Sequence, residues 1–116
     1  MSTIKANQWL SSDGTENFKC KAFVNFNGTG TVAIRASGNV SSITDNGTGD
    51  YTVNFTSAMV DANYSAVFSA GGTTGGIAFR FYDEATPRTS SLVRFFTTNI
   101  SFNTLDIAQV NVVIFR

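Results

Sequence analysis

Four groups of residues in this chain have types and spacings suited to chemistry. Asp45, Asn46 and Asp50 place oxygen donors around Gly47 and Gly49, as a loop for a hard cation would. A calcium loop, however, needs about six to eight oxygens, alternating acidic positions and a closing bidentate Glu, and the run supplies none of that pattern. The glycines of the same run could cradle a phosphate, but that requires a following helix N-terminus and usually a Lys, whereas "DYTVNF" alternates as a strand. Asp83 and Glu84 are neighbouring carboxylates of the kind used in glycoside hydrolysis. Adjacent strand residues point to opposite faces, so nothing sets these two against one bond. Cys20 falls in an apolar alternation with Phe18 and Val24, which predicts a small core residue rather than a nucleophile. The expectation is a chain with no catalytic residue, no metal ligand and no cofactor.

Composition narrows the partners. Eight Lys and Arg balance eight Asp and Glu, and charged residues are only 14% of the 116, so there is no field to hold nucleic acid or an anionic membrane. Ser, Thr and Asn make up about a third of the chain and must solvate most of the surface without charge. One Cys and no His remove a disulfide framework, a Cys-based zinc site and the commonest general base. No apolar run reaches the roughly 20 residues of a membrane helix, and "MSTIKANQWL" lacks the apolar stretch of a secretory leader. The tripeptides beginning at Asn27, Asn39, Asn46, Asn54, Asn63 and Asn99 match the glycosylation pattern, which a chain this rich in Asn, Ser and Thr produces through composition alone.

The elements that must position these residues are strands. Apolar residues recur with a period of two in Phe18 to Phe26, Val32 to Ala36, Tyr51 to Phe55, Tyr64 to Phe68, Ile77 to Phe81 and Val110 to Ile114. In the last run Val113 and Phe115 make the second face apolar too, which suits a middle strand or a subunit contact. Turn signals separate the runs: Asp13-Gly14, Asn27-Gly28, Ser37-Gly38, Asn46-Gly47, Gly71 to Gly76 and "DEATPR". Asn46-Gly47, followed by Thr48-Gly49, predicts a hairpin with a longer loop and a bulge. No window has helical recurrence. The expected fold is all-β: one antiparallel β-sandwich, jelly-roll-like, over 17–116, preceded by a short extended arm over 1–16 that carries the only Trp, Trp9, a residue that usually packs against a neighbour or a subunit.

Residues 21–70 also resemble a segment that recurs in tail-fibre and other small structural proteins of tailed bacteriophages. The pieces that carry the likeness are "FVNFNGTG", "IRAS", "VSSITDNGTGDYTVNF" and "DANYSAVFSA", and "MSTIKANQWLSSDGTE" is similar to the N-terminal lead of those proteins. The last 45 or so residues diverge. Phe23 stands where that family often has Trp, and Val60 where it often has Pro. The resemblance implies a virion component made in the host cytoplasm, usually trimeric, with no catalytic motif to transfer.

The expected function is therefore a non-enzymatic trimeric tail-fibre or receptor-binding tip component. The alternative is a capsid decoration protein, either cement or head fibre; a carbohydrate-binding module or glycosidase stands further off. The arm over 1–16 is expected to be exchanged between subunits or to attach to other virion proteins. Contacts with host polysaccharide or protein are expected from the loops outside the shared segment. There Gly71, Gly72, Gly75 and Gly76 permit close backbone approach, Thr73 and Thr74 offer hydroxyls, Tyr82 a stacking face and Arg88 a charged donor.

Overall fold

A computed structural model describes residue 3 and residues 5–71, 76–81 and 88–116, with backbone alone at 80 and 81. The described chain is all-β, and eight strands form two antiparallel four-stranded sheets. The strands are β1 (Cys20–Asn27), β2 (Ala33–Gly38), β3 (Val40–Gly47), β4 (Asp50–Phe55), β5 (Ser65–Gly71), β6 (Ile77–Phe81), β7 (Leu92–Asn99) and β8 (Gln109–Phe115). One sheet has the order β2-β1-β8-β5 and the other β3-β4-β7-β6. This is the expected β-sandwich.

The alternating apolar residues line its interior. Ala22, Val24 and Phe26 of β1 pair with Ile114, Val112 and Val110 of β8, and all six are buried. From the other sheet Tyr51 pairs with Phe95 and Val53 with Val93, again all buried. Rings from both sheets interlock. Phe26 meets Tyr51 edge to face at 5.2 Å between centroids, and Phe68 meets Phe95 at 4.8 Å. Each such pair adds about 1 kcal/mol to the area it buries.

Cys20 departs from its expectation, because it is exposed. The β1–β8 register slips between Cys20 and Ala22, so the alternation that reaches the core begins at Ala22, and Phe18 is left 76% exposed. The thiol donates to the Ala22 carbonyl, at 3.1 Å.

The chain changes sheets between β2 and β3 at Asn39, whose φ of 55° makes the corner. Its side chain holds that corner closed. The amide nitrogen donates to the carbonyls of Lys21 and Ser57, and the amide oxygen accepts from the Ser57 N–H at 2.7 Å. Other Asn residues of the glycosylation-like tripeptides have comparable structural work. Asn27 accepts from the Thr29 N–H, Asn99 from those of Ser101 and Asn103, and Asn54 donates to the hydroxyls of Ser42 and Thr44.

The β3–β4 hairpin expected from Asn46-Gly47 is present, with its register shifted between Asp45 and Gly47 and its turn at Thr48-Gly49. The positive φ values fall on Gly47 and Gly49, not on Asn46. Gly49 is the constrained position: φ is +63°, and an added Cβ would lie 2.6 Å from the Thr97 carbonyl oxygen and 2.7 Å from the Leu105 nitrogen. Both neighbours are backbone and cannot swing away. Gly49→Ala is therefore expected to cost about 2 kcal/mol, visible as a fall in thermal midpoint. An unchanged midpoint would mean that the hairpin is free to shift away from the β7–β8 connection.

Candidate functional site

The two outer faces of the sandwich differ. On the β3-β4-β7-β6 sheet the outward residues of the first three strands form a mostly polar ladder. Asn46 donates to the Thr52 hydroxyl at 2.8 Å, Asn54 bonds Ser42 and Thr44, and Arg94 grips the Asp50 carboxylate through two bonds of 3.0 and 2.8 Å. Such a face is already satisfied by its own cross-strand pairs.

The outer face of β2-β1-β8-β5 carries an apolar band instead. Register sets Phe23 beside Val113 and Val113 beside Val67, so one cross-strand row joins three strands. Phe23 also lies over Gly38 of the edge strand, where an added Cβ would come within 2.6 Å of its ring. Phe115 extends the band one row further. Phe23, Val67 and Phe115 are 43%, 56% and 39% exposed. The row on the other side is polar, with Asn25, Asn111 and Ser69 in register, Asn111 bonded to Ser69, and Arg35 bonded to both Asn25 and the Ala108 carbonyl. An apolar strip with a polar, hydrogen-bonded border has the anatomy of a contact surface. Val113 and Phe115 were legible as a second apolar face of the last strand. Phe23 and Val67 were not, because only pairing brings residues 23, 67 and 113 together.

The segment before β1 forms a small hairpin. Asn17 donates from its N–H to the Trp9 carbonyl and Ser11 from its N–H to that of Thr15, both at 2.7 Å, with the turn at Asp13-Gly14. Asp13 accepts from the Thr15 N–H, which holds its carboxyl below the ordinary carboxylate range. The turn expected at Asp13-Gly14 is there. The hairpin leaves Trp9, the only Trp of the chain, 62%, Leu10 48% and Phe18 76% exposed.

Of the loop residues expected to contact a ligand, Thr73, Thr74 and Tyr82 lie outside the described residues, as do Gly72, Gly75, Asp83 and Glu84. Arg88 is described, and it is half-buried rather than held out to solvent. It donates to the Tyr64 carbonyl at 2.8 Å, and its guanidinium lies 5.1 Å from the centre of the Tyr64 ring. Tyr64 is itself buried, packs edge to face on Phe55 at 5.6 Å, and directs its hydroxyl to the carbonyls of Leu92 and Thr89. Arg88 thus anchors the start of β7 to the start of β5. Arg88→Ala is expected to cost about 2 kcal/mol, the worth of one charge-assisted hydrogen bond and a cation–π contact. That is about 8–10 °C in a chain of this size, with Arg88→Lys recovering part of it. A thermal midpoint unchanged in Arg88→Ala would mean that the guanidinium is available to a ligand.

Asp45 and Asp50, the carboxylates of the hairpin, serve local bonds. Asp45 accepts from the Gly47 N–H, and both oxygens of Asp50 face Arg94. Among the described residues no three acidic, His or Cys side chains gather at one point. Comparison with family models, with curated proteins and with solved structures finds no match to this chain.

Proposed function

We propose that this protein is a non-enzymatic structural subunit of a bacteriophage particle, a homotrimer at a tail fibre or receptor-binding tip that contacts the host surface. The observation that carries the reading is the apolar row Phe23, Val113 and Val67 with Phe115, on the outer face of a sheet whose inner face is already packed. A strand apolar on both faces belongs between two layers, and among the described residues β8 has only one. Symmetric copies of the same chain are the simplest source of the second layer. The likeness of residues 21–70 to tail-fibre segments supports the same assembly and supplies its setting. The side chains best equipped for chemistry support a structural role as well: Asp50 and Arg94 hold each other, Arg88 holds Tyr64, and Asp106 holds Gly49 and Tyr51.

Sedimentation or native mass measurement tests the assembly, with a stable trimer expected at micromolar concentration and a monomer overturning it. Antibody labelling of intact particles tests the location. Label at the tail supports the fibre reading, and label over the head moves the protein to capsid decoration. Host contact is tested separately by Tyr82→Ala, because the bonds of Arg88 make its removal a test of folding. Reduced adsorption of particles with the trimer intact is expected, and unchanged adsorption counts against a receptor role for that loop.

A further inference from the structure

Among the described residues one apolar surface stands uncovered on the N-terminal hairpin and another on the outer sheet face. The exposed parts of Trp9, Leu10 and Phe18 on the N-terminal hairpin amount to about 400 Å². Those of Phe23, Val67, Val113 and Phe115 on the outer sheet face amount to about 300 Å². A specific interface needs roughly 1,000 Å² or more in total, of which about 60% is apolar. Packed on each other, the two surfaces supply about 700 Å² of apolar area and, with their polar borders, clear that threshold. Packing hairpin on hairpin or face on face sets a surface against its own copy and closes at two chains, whereas a ring of three needs two different surfaces on each copy.

We infer that in the assembled protein the hairpin of residues 9–17 lies on a second copy of this chain, with Trp9, Leu10 and Phe18 seated on that copy's Phe23, Val67, Val113 and Phe115. This rests on the homotrimer reading and adds which surfaces meet. The contact joins two different patches, so each copy gives one hairpin and receives one, and a closed ring leaves neither surface bare. The chemistry of the two surfaces fits. The hairpin brings two aromatic rings and a Leu, and the face offers a flat row of Val and Phe over strands whose own hydrogen bonds are made. The Asp13-Gly14 turn and the Trp9–Asn17 and Ser11–Thr15 bonds preform the hairpin, so little ordering is needed when it docks.

Two variants with substitutions at exposed positions test this without touching the core. Trp9→Ala with Phe18→Ala removes the hairpin's rings, and Val67→Lys places a charge in the row. Each is expected to sediment as a folded monomer at concentrations where the parent is a trimer, with sheet content and thermal midpoint retained by circular dichroism. Mixed in equal amounts, they are expected to form a one-to-one dimer and no larger species, because one intact hairpin and one intact face remain. The only Trp is the reporter: its emission should lie further to the red in Val67→Lys than in the parent. A parent that is itself monomeric overturns the trimer reading. A parent trimer that survives Trp9→Ala with Phe18→Ala overturns only the docking, and gives the hairpin to another virion protein.

Discussion

Replacing Asp106 by Ala is expected to lower stability by about 3 kcal/mol, about 15 °C in thermal midpoint, although Asp106 belongs to no strand. One carboxylate oxygen, Oδ1, accepts from the Gly49 N–H at 2.8 Å and from the Tyr51 hydroxyl at 2.9 Å. The same hydroxyl lies 2.9 Å from the Gly28 carbonyl oxygen, and the Gly28 N–H donates to the Ile107 carbonyl at 2.9 Å. Four contacts among five residues thus tie the β1–β2 loop, the β3–β4 hairpin and the β7–β8 connection at one end of the sandwich. Without the carboxylate, Tyr51 retains Gly28, but the N–H of buried Gly49 loses the acceptor it had. A charge-assisted bond and an orphaned donor together account for the magnitude. Asp106→Asn keeps an acceptor and is expected to lose about 1 kcal/mol. In a double-mutant cycle Tyr51→Phe and Asp106→Ala should couple by 1 kcal/mol or about that much, and strict additivity would show that the two groups act independently.

That knot shows where sequence reading succeeds and where it stops. The inward residues of β1, β4 and β8 were legible because each alternates large apolar with polar side chains, a local property. β3 follows from the expected hairpin and not from its own pattern. Its run "VSSITDNG" has only Val40 and Ile43 as apolar residues, and its outward hydroxyls and amides are satisfied by partners on β4 that local pattern does not name. In β7 the apolar alternation is interrupted. Phe95 and Phe96 are adjacent, and the inward position after Phe95 is Thr97, buried because its hydroxyl donates to the Leu105 carbonyl at 2.8 Å. Burial of a Thr follows from a bond across eight residues, not from its own hydropathy. Cys20 was misplaced because a register slip has no signature in the alternation it interrupts.

The candidate surface divides the same way. The apolar outer face of β8 is visible in six consecutive residues, and so it entered the sequence reading. The row it completes with Phe23 and Val67 depends on partners 90 and 46 positions away, so the register, and with it the shape of the surface, came only with the sheet. Arg88 illustrates the converse. A lone Arg beside a Gly- and Thr-rich loop has the composition of a sugar contact, yet the Tyr64 carbonyl and ring claim it. A residue type suited to recognition is equally suited to anchoring the loop that recognises.

The buried tyrosines should make the protein fail abruptly in alkali. Burial raises the Tyr64 hydroxyl from 10 to about 12, with the charge of Arg88 pulling the other way. Tyr51 is raised further, first by burial and then by its bond to Asp106 and the negative charge there. Both folded values lie above the unfolded one, so the stabilisation is complete below pH 10 and is lost as pH rises from there towards the folded values. In that window the folded chain retains two protons that the unfolded chain gives up, and stability falls by about 2.7 kcal/mol per pH unit. Over the two units from pH 10 to pH 12 that removes about 5 kcal/mol, the whole stability of a domain at the lower end of the ordinary range. Phenolate absorbance and far-ultraviolet circular dichroism followed together check this. Ionisation of Tyr51 and Tyr64 is expected to coincide with loss of the sheet signal in one cooperative step, and Tyr64→Phe to make the decline about half as steep. Ionisation of both phenols near pH 10 with the sheets intact would mean that water reaches the two hydroxyls, and that the ends of the sandwich held by Asp106 and Arg88 open without the rest.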